Sequence, residues 1–322
     1  MHAYVGVDTS CYTTSVASVD EHGIVSDLRT VLSVKHGERG LRQSDGLFQH
    51  VRNLETLMPE LMKQLGGAEL RGVCVSARPR PNEDSYMPVF LAGKMCAASV
   101  AAARKVPLLT ASHQEGHVRA ALHGNEALMG RPFLGMHISG GTTEVFLVDE
   151  AFGISLLSGT EDLHAGQFVD RTGVAMGLRF PCGKQLEALA GSFDPAAGFV
   201  KLPAIVREGV CSFSGVETRM QALLKAGADH AELAYAAYDC MSRTFVKMLC
   251  HAMEQTGITR ALLAGGVASS PLLRTLLRER MHKLDANAAL YFGESALSSD
   301  NAVGAALLCR DRLNAILAEG QG

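Results

Sequence analysis

Apolar residues recur along this chain in two rhythms. Between Gly46 and Leu65 they fall at Leu47, Val51, Leu54, Leu57, Leu61 and Leu65, a spacing that predicts a helix. Phe90–Arg104 reads as an Ala-rich helix and Glu232–Gln255 as a long one. Short apolar runs read as strands at Leu70–Ser76, Pro107–Thr110, Arg260–Ala264 and Leu290–Phe292. Ser269 and Ser270 open a helix over Pro271–Lys283, with Pro271 suited to the first turn. Asn301–Leu317 reads as a closing helix. Strands alternating with helices predict an α/β fold.

The pattern also repeats. Tyr4–Glu21 aligns with Phe133–Glu150 without a gap at an offset of 129 residues, with eight of 18 positions identical. Each copy is an apolar strand, a Ser/Thr/Gly turn, and a second apolar strand ending in Asp-Glu, which predicts a hairpin. One repeat half a chain apart predicts two related lobes with a cleft between them, whereas a solenoid needs at least three short repeats. The turns could offer backbone N–H groups to a polyphosphate. The alternative is two hairpins alike only in their turn chemistry.

Composition narrows the class. With 322 residues, 47% of them hydrophobic, the chain can bury a sizeable core and two domains are the natural expectation. A net charge of −3 argues against gripping nucleic acid by bulk charge and leaves only a local basic patch. The eight cysteines form no C-x-x-C pair, which fits a reduced, cytoplasmic setting better than a disulfide framework. Met95–Ala103, the most apolar helical stretch, is too short to span a bilayer, and MHAYVGVDTS has no basic leader region.

Four motifs carry candidate chemistry. In Ser112-His113-Gln114-Glu115-Gly116-His117, two histidines at i and i+4 share a helix face and could hold one metal ion, or simply face solvent. A third ligand could be Asp300, which could equally be a plain helix N-cap. Ile138-Ser139-Gly140-Gly141-Thr142-Thr143, led by His137, lets backbone approach a ligand closely, unless it is an ordinary turn. In Leu263–Ser270 a strand meets Gly265, Gly266 and a helix start, an order that suits adenine or phosphate. Asp170, ahead of Phe180-Pro181-Cys182-Gly183, could bind a ribose or be a surface residue. Cys11 reads as a small, semi-buried thiol, and Arg78-Pro79-Arg80-Pro81-Asn82-Glu83-Asp84 as a solvated loop or a lid.

These motifs together resemble the tRNA threonylcarbamoyladenosine transferase family, the TsaD-like proteins once labelled glycoproteases. The resemblance runs from Val5-Gly6-Val7-Asp8-Thr9-Ser10-Cys11 to Ser299-Asp300-Asn301 and includes Ser212-Phe213-Ser214-Gly215. It implies the actin-like ATPase (ASKHA) fold of two duplicated RNase H-like lobes. The expected lobes are 1–131 completed by 298–322, and 132–297. It implies one divalent metal, iron or zinc, on His113, His117 and Asp300. It implies ATP, AMP or a carbamoyl-adenylate at His137, Ile138, Ser139, Gly140, Gly141, Asp170, Gly183, Gly265, Gly266 and Ser270. The implied reaction moves a threonylcarbamoyl group from its adenylate to N6 of adenosine 37 in tRNA. Partner proteins are implied too, such as a paralogous subunit of the same fold, or a homodimer.

This chain departs from the family's pattern. Tyr12 and Thr13 stand where members carry acidic residues, Ala77-Arg78-Pro79-Arg80-Pro81 replaces a Gly-Pro-Gly loop, and Ser270 replaces an asparagine. Thr142 stands where members carry His or Asn. Two further readings stay open: carbamoyl transfer to a different acceptor, and a non-catalytic nucleotide-binding scaffold beside a working paralogue. Proteolysis is disfavoured, because Glu115 does not directly follow His113 as in zinc proteases.

Overall fold

The computed structural model describes residues 1–10, 12–34, 41–82 and 84–319. Cys11 and Glu83, singled out above, lie outside them. Two compact units form: Met1–His123 with Ser299–Gly322, and Gly124–Ser298. The first break falls at 123/124 and not at 131/132, because the connecting segment is tied into the second unit: Asn125 Nδ2 donates to Phe292 O at 3.1 Å.

The first unit begins with the meander β1 (His2–Asp8), β2 (Thr13–Val19) and β3 (Ile24–Val31). There follow α1 (Gln43–Leu65), β4 (Glu69–Arg78), α2 (Phe90–Arg104), β5 (Leu108–Ser112) and α3 (His113–Ala121). The second unit opens with its own meander, β6 (Phe133–Ile138), β7 (Thr143–Val148) and β8 (Ile154–Gly159). Then come α4 (Ala165–Ala175), α5 (Gly183–Gly191), the small hairpin β9 (Ile205–Arg207) and β10 (Val210–Ser212), and α6 (Ser214–Lys225). It closes with α7 (His230–Thr256), β11 (Arg260–Ala264), α8 (Pro271–Leu284) and β12 (Ala289–Phe292). The last helix, α9 (Val303–Glu319), belongs to the first unit.

Each unit has a five-stranded sheet, ordered β3-β2-β1-β4-β5 in the first and β12-β11-β6-β7-β8 in the second. Read from the other edge, the second is the first over again: three antiparallel strands, then two parallel ones. The duplication extends to register. Tyr4 pairs with Val19 and Asp8 with Ser15, and Phe133 pairs with Val148 and His137 with Glu144. Every pair of the first hairpin recurs in the second moved by the 129-residue offset of the sequence repeat, and the second adds Ile138 with Thr143.

The first unit packs helices closely on its sheet through small residues. Gly6 faces α9, where a Cβ would lie 2.2 Å from Ala302 O. Gly304 crosses α3 so tightly that a Cβ would lie 1.8 Å from Gly116 O. On α1 the buried face is Gly46, His50, Leu54, Met58, Leu61 and Leu65, an i+4/i+3 stripe. That differs from the expected face, since Val51 is 43% exposed and the fully buried His50 takes its place. In the second unit the largely buried α7 forms the centre of the core, with Leu233, Tyr238, Phe245 and Leu249. Residues of that kind each contribute about 1.5–3 kcal/mol of burial.

Candidate metal centre and glycine-rich turns

Local sequence fixes where α3 begins. Ser112 Oγ accepts from Glu115 N at 3.1 Å, and Glu115 Oε2 accepts from Ser112 N at 2.6 Å, a reciprocal capping box. Glu115 Oε1 also accepts from Arg312 at 2.6 Å. Both of its oxygens are therefore engaged, which removes it as a base for hydrolysis. Helical spacing then sets His113 and His117 on one face, with their Nε2 atoms 2.9 Å apart. Asp300 Oδ1 lies 3.2 Å from His117 Nε2 and 3.5 Å from His113 Nε2. Among the described residues this is the one trio of His, Cys, Asp or Glu arranged to hold an ion.

Asp300 is not the N-cap of α9. Asn301 Oδ1 takes that place, accepting from Val303 N at 3.1 Å and Gly304 N at 3.4 Å, which leaves the neighbouring carboxylate for the histidines. Arg29 on β3 steadies the approach by donating to Ser299 Oγ at 2.8 Å.

One member of this centre escaped the sequence reading. Asp8, buried at the end of β1, lies with Oδ2 2.9 Å from His113 Nδ1. Its other oxygen accepts from Ser10 N at 2.8 Å and Ser10 Oγ at 2.5 Å. The signal available in the sequence was a carboxylate entering the first hairpin turn, where the second copy has His137. Holding Nδ1 on a carboxylate turns Nε2 toward an ion and raises its basicity. Two imidazoles and a carboxylate, with the first imidazole so oriented, fit a divalent transition metal.

The electrostatics agree. Burial works against charge on Asp8, but the charged His113 and the hydrogen bonds from His113 and Ser10 outweigh it and lower its carboxyl pKa. Burial likewise opposes charge on His113, yet Asp8 and Asp300 raise its pKa well above the ordinary value. Burial of Asp300 is outweighed by hydrogen bonds from both histidines, which lower its pKa. The two carboxylates thus favour positive charge at His113, the sign of charge that a bound ion would bring.

The second unit gathers most of the glycine-rich motifs. Ser139 N donates to Thr142 O at 2.8 Å and closes the β6–β7 turn, with Gly140 and Gly141 facing open space. Gly166, in the first turn of α4, lies against that turn: its N–H donates to Ser139 O at 3.1 Å, and a Cβ would come within 2.6 Å of Gly140 Cα. Gly265 has φ +104° and wraps over Ile138, whose carbonyl accepts from Val267 N at 3.1 Å. His137 packs beside it, its Cδ2 2.7 Å from where a Cβ on Gly265 would stand. Asp170 is half-buried and not a surface residue; it accepts from Cys182 N at 2.8 Å, next to Gly183. Ser270 is spent differently. Its hydroxyl donates to Glu187 at 2.7 Å and accepts from Leu273 N at 3.2 Å, so it caps α8 from a buried position.

Ser212-Phe213-Ser214 is also a built turn. Asp162 accepts from Ser212 Oγ at 2.6 Å, Phe213 N at 2.9 Å and Ser214 N at 3.2 Å. Burial would raise its carboxyl pKa, but these bonds lower it. Phe213 stacks on Phe168 with centroids 5.4 Å apart, joining the turn to α4.

Residues 47–307 match the family model described as TsaD, tRNA N6-adenosine threonylcarbamoyltransferase. The chain belongs to this family. It is thereby a transferase. A tRNA N6-adenosine threonylcarbamoyltransferase of Bordetella petrii is 30% identical over 330 residues, covering 98% of this chain and 92% of that protein. One of Bordetella pertussis is 29% identical over 329 residues, with 98% and 93% covered. Among solved structures, the activator of 2-hydroxyisocaproyl-CoA dehydratase from Clostridium difficile, with bound ADPNP, superposes with a TM-score of 0.58 at 13% identity, covering 98% and 97%. Full-length HypF gives 0.64 at 11% identity, covering 96% of this chain and 46% of that one. A ROK family glucokinase from Streptomyces griseus gives 0.55 at 12%, covering 96% and 99%. The TsaD-family chain thus has the actin-like ATPase fold. No helix among its described residues is long and apolar enough to cross a membrane.

Proposed function

We propose that this TsaD-family protein transfers a threonylcarbamoyl group from its adenylate to N6 of an adenosine in tRNA, using one divalent metal, iron or zinc, held by His113, His117 and Asp300. The observation that carries this reading is the convergence of three donor atoms within 3.5 Å, with His113 Nδ1 anchored on the buried Asp8. When bound, the ion supplies Lewis acidity toward the acyl carbonyl oxygen. Asp8 fixes the ring of His113 throughout. Ser139, Gly140 and Gly141 offer backbone to the phosphate of the adenylate. Asp170, with one oxygen on Cys182 N, and Gly183 and Gly266, which leave open space, serve its nucleoside. The amine of the acceptor then forms the new C–N bond as the C–O bond to phosphate breaks, AMP leaves, and the proton lost from nitrogen passes to the departing phosphate or to solvent. With a net charge of −3, tRNA is held by a local patch or together with a partner subunit, either a paralogue or a second copy.

The test is elemental analysis of freshly purified protein, followed by transfer from threonylcarbamoyl-adenylate to unmodified tRNA, read by nucleoside mass spectrometry. Full activity in metal-free His113→Ala protein would end this reading.

A second reading keeps the donor type and changes the acceptor. It is favoured by Tyr12, which is 44% exposed where the family's acidic residue would be. An unchanged level of threonylcarbamoyladenosine in a deletion strain would favour it over the first.

A further inference from the structure

Arginines of the first unit obey a rule with one exception. Every other described arginine there that is not freely exposed has a carboxylate partner: Arg29 has Asp27, Arg71 has Glu69, Arg119 and Arg310 share Asp311, and Arg312 has Glu115. Arg78 is half-buried, and among the described residues its guanidinium makes neither a hydrogen bond nor an ion pair. Withdrawing a charge partly from water without a partner costs free energy, so such a group is expected to meet an anion in the working protein.

Its position says which anion. Arg78 is the last residue of β4 and pairs in register with Ser112, the residue before His113. Neighbouring strands lie about 4.8 Å apart, so the Arg78 backbone stands one strand away from the residue that precedes α3, a separation shorter than an extended arginine side chain. The mounting is stiff. Pro79 follows directly, and its carbonyl accepts from Gln114 N at 3.1 Å, tying the loop to the first turn of α3. With its backbone tied to the start of α3, Arg78 has less ordering left to do on binding an anion there.

We propose that Arg78 binds the carboxylate of the acyl group being transferred, and so determines specificity for an N-carbamoyl amino acid over a plain carbamoyl group. This rests on the reading above, in which the carbamoyl end of the donor is handled by His113, His117 and Asp300. A plain carbamoyl group carries no charge for Arg78 to meet. A threonylcarbamoyl group carries a planar carboxylate, which a guanidinium engages through two parallel hydrogen bonds. The phosphate of the adenylate has its own place in the second unit's Ser139–Gly141 turn under the same reading. The Arg-Pro-Arg-Pro loop is then part of the substrate site and not only a solvated connection.

The test uses the metal-loaded full chain and calorimetric titration with N-carbamoyl-L-threonine and its uncharged carboxamide, each with AMP present. The native protein is expected to bind the acid at least about tenfold tighter than the amide, the scale of a hydrogen bond to a charged group. Arg78→Gln should erase that preference while metal content and AMP binding stay native. Arg78→Lys should restore part of it, since an ammonium keeps the charge but not the fork. A preference unchanged in Arg78→Gln overturns the assignment and leaves the transfer reading standing. A native protein that binds AMP but prefers neither probe also overturns it. Binding of neither AMP nor probe by metal-loaded native protein overturns the transfer reading, and this assignment with it.

Discussion

The two units carry the same hairpin and use it in opposite ways. In the first, the β1–β2 turn is drawn into the protein: Asp8 reaches His113, and Thr9 Oγ1 donates to Val89 O at 3.0 Å on the approach to α2. In the second, the β6–β7 turn is open, with Gly140 and Gly141 facing empty space where side chains would be. The ladders behind the turns match residue for residue. Duplication therefore kept the strand register, which the core enforces, and released the turn, which it does not. One end of the repeat holds His113 through Asp8, and the other is an exposed arc of backbone.

The largest expected effect breaks the first half of this comparison. Asp300→Ala should lower transfer roughly a thousandfold through loss of the ion, checked by metal content and turnover together. The next effect probes Thr14 and Thr143, which the repeat makes equivalent. Thr14 Oγ1 sits 2.8 Å from His50 Nδ1, whereas Thr143 Oγ1 accepts from Ala165 N at 2.9 Å. Burial lowers the His50 pKa from 6.5 to about 4, with nearby Asp8 opposing it. A depressed folded-state value means that the unfolded chain takes up the proton first. Stability is then complete above the unfolded value, and falls by as much as about 3 kcal/mol as the pH drops from 6.5 to 4. Denaturant titrations at several pH values should show that slope shrink in a His50→Gln variant that still folds.

A third substitution tests the open turn. Gly166→Ala should cost about 1–3 kcal/mol and displace the Ser139 turn, because its Cβ would meet backbone. Gly140→Ala should leave thermal stability nearly unchanged and weaken AMP binding. Equal effects of the two on stability would contradict the open geometry. The smallest effect belongs to Asp8→Asn, which keeps the shape but weakens the hold on His113. Metal affinity should fall by about 10–100-fold, measured by competition with a chelator.

Much of this was legible in the sequence, for identifiable reasons. The hairpin pair showed because turn chemistry and register leave identities at fixed offsets. Phe90–Arg104 and Arg260–Ala264 match the observed elements end to end, since Gly, Pro and charged residues punctuate them. Asp8 was not legible, because its partner stands 105 residues away and nothing local marks the pair. The partner of Ser270 was hidden for the same reason: its place beside Gly265 and Gly266 suggested a ligand, and nothing local announced that its hydroxyl donates to Glu187 on α5. The face of α1 was misjudged because hydropathy favours Val51 over His50, and only packing reveals that an imidazole is the buried one.

The return of α9 to the first unit has a consequence for how the protein is made. Asp8 leaves the ribosome before the second unit and Asp300 after it, with the whole second unit synthesised between them. Until Gly6 and Gly116 receive α9, the first sheet lacks that cover and the histidine pair lacks its carboxylate from the chain's far end. A nascent or prematurely ended chain therefore cannot assemble the centre, however well its earlier parts fold. The His113–His117–Asp300 cluster is completed only after the second unit has been translated.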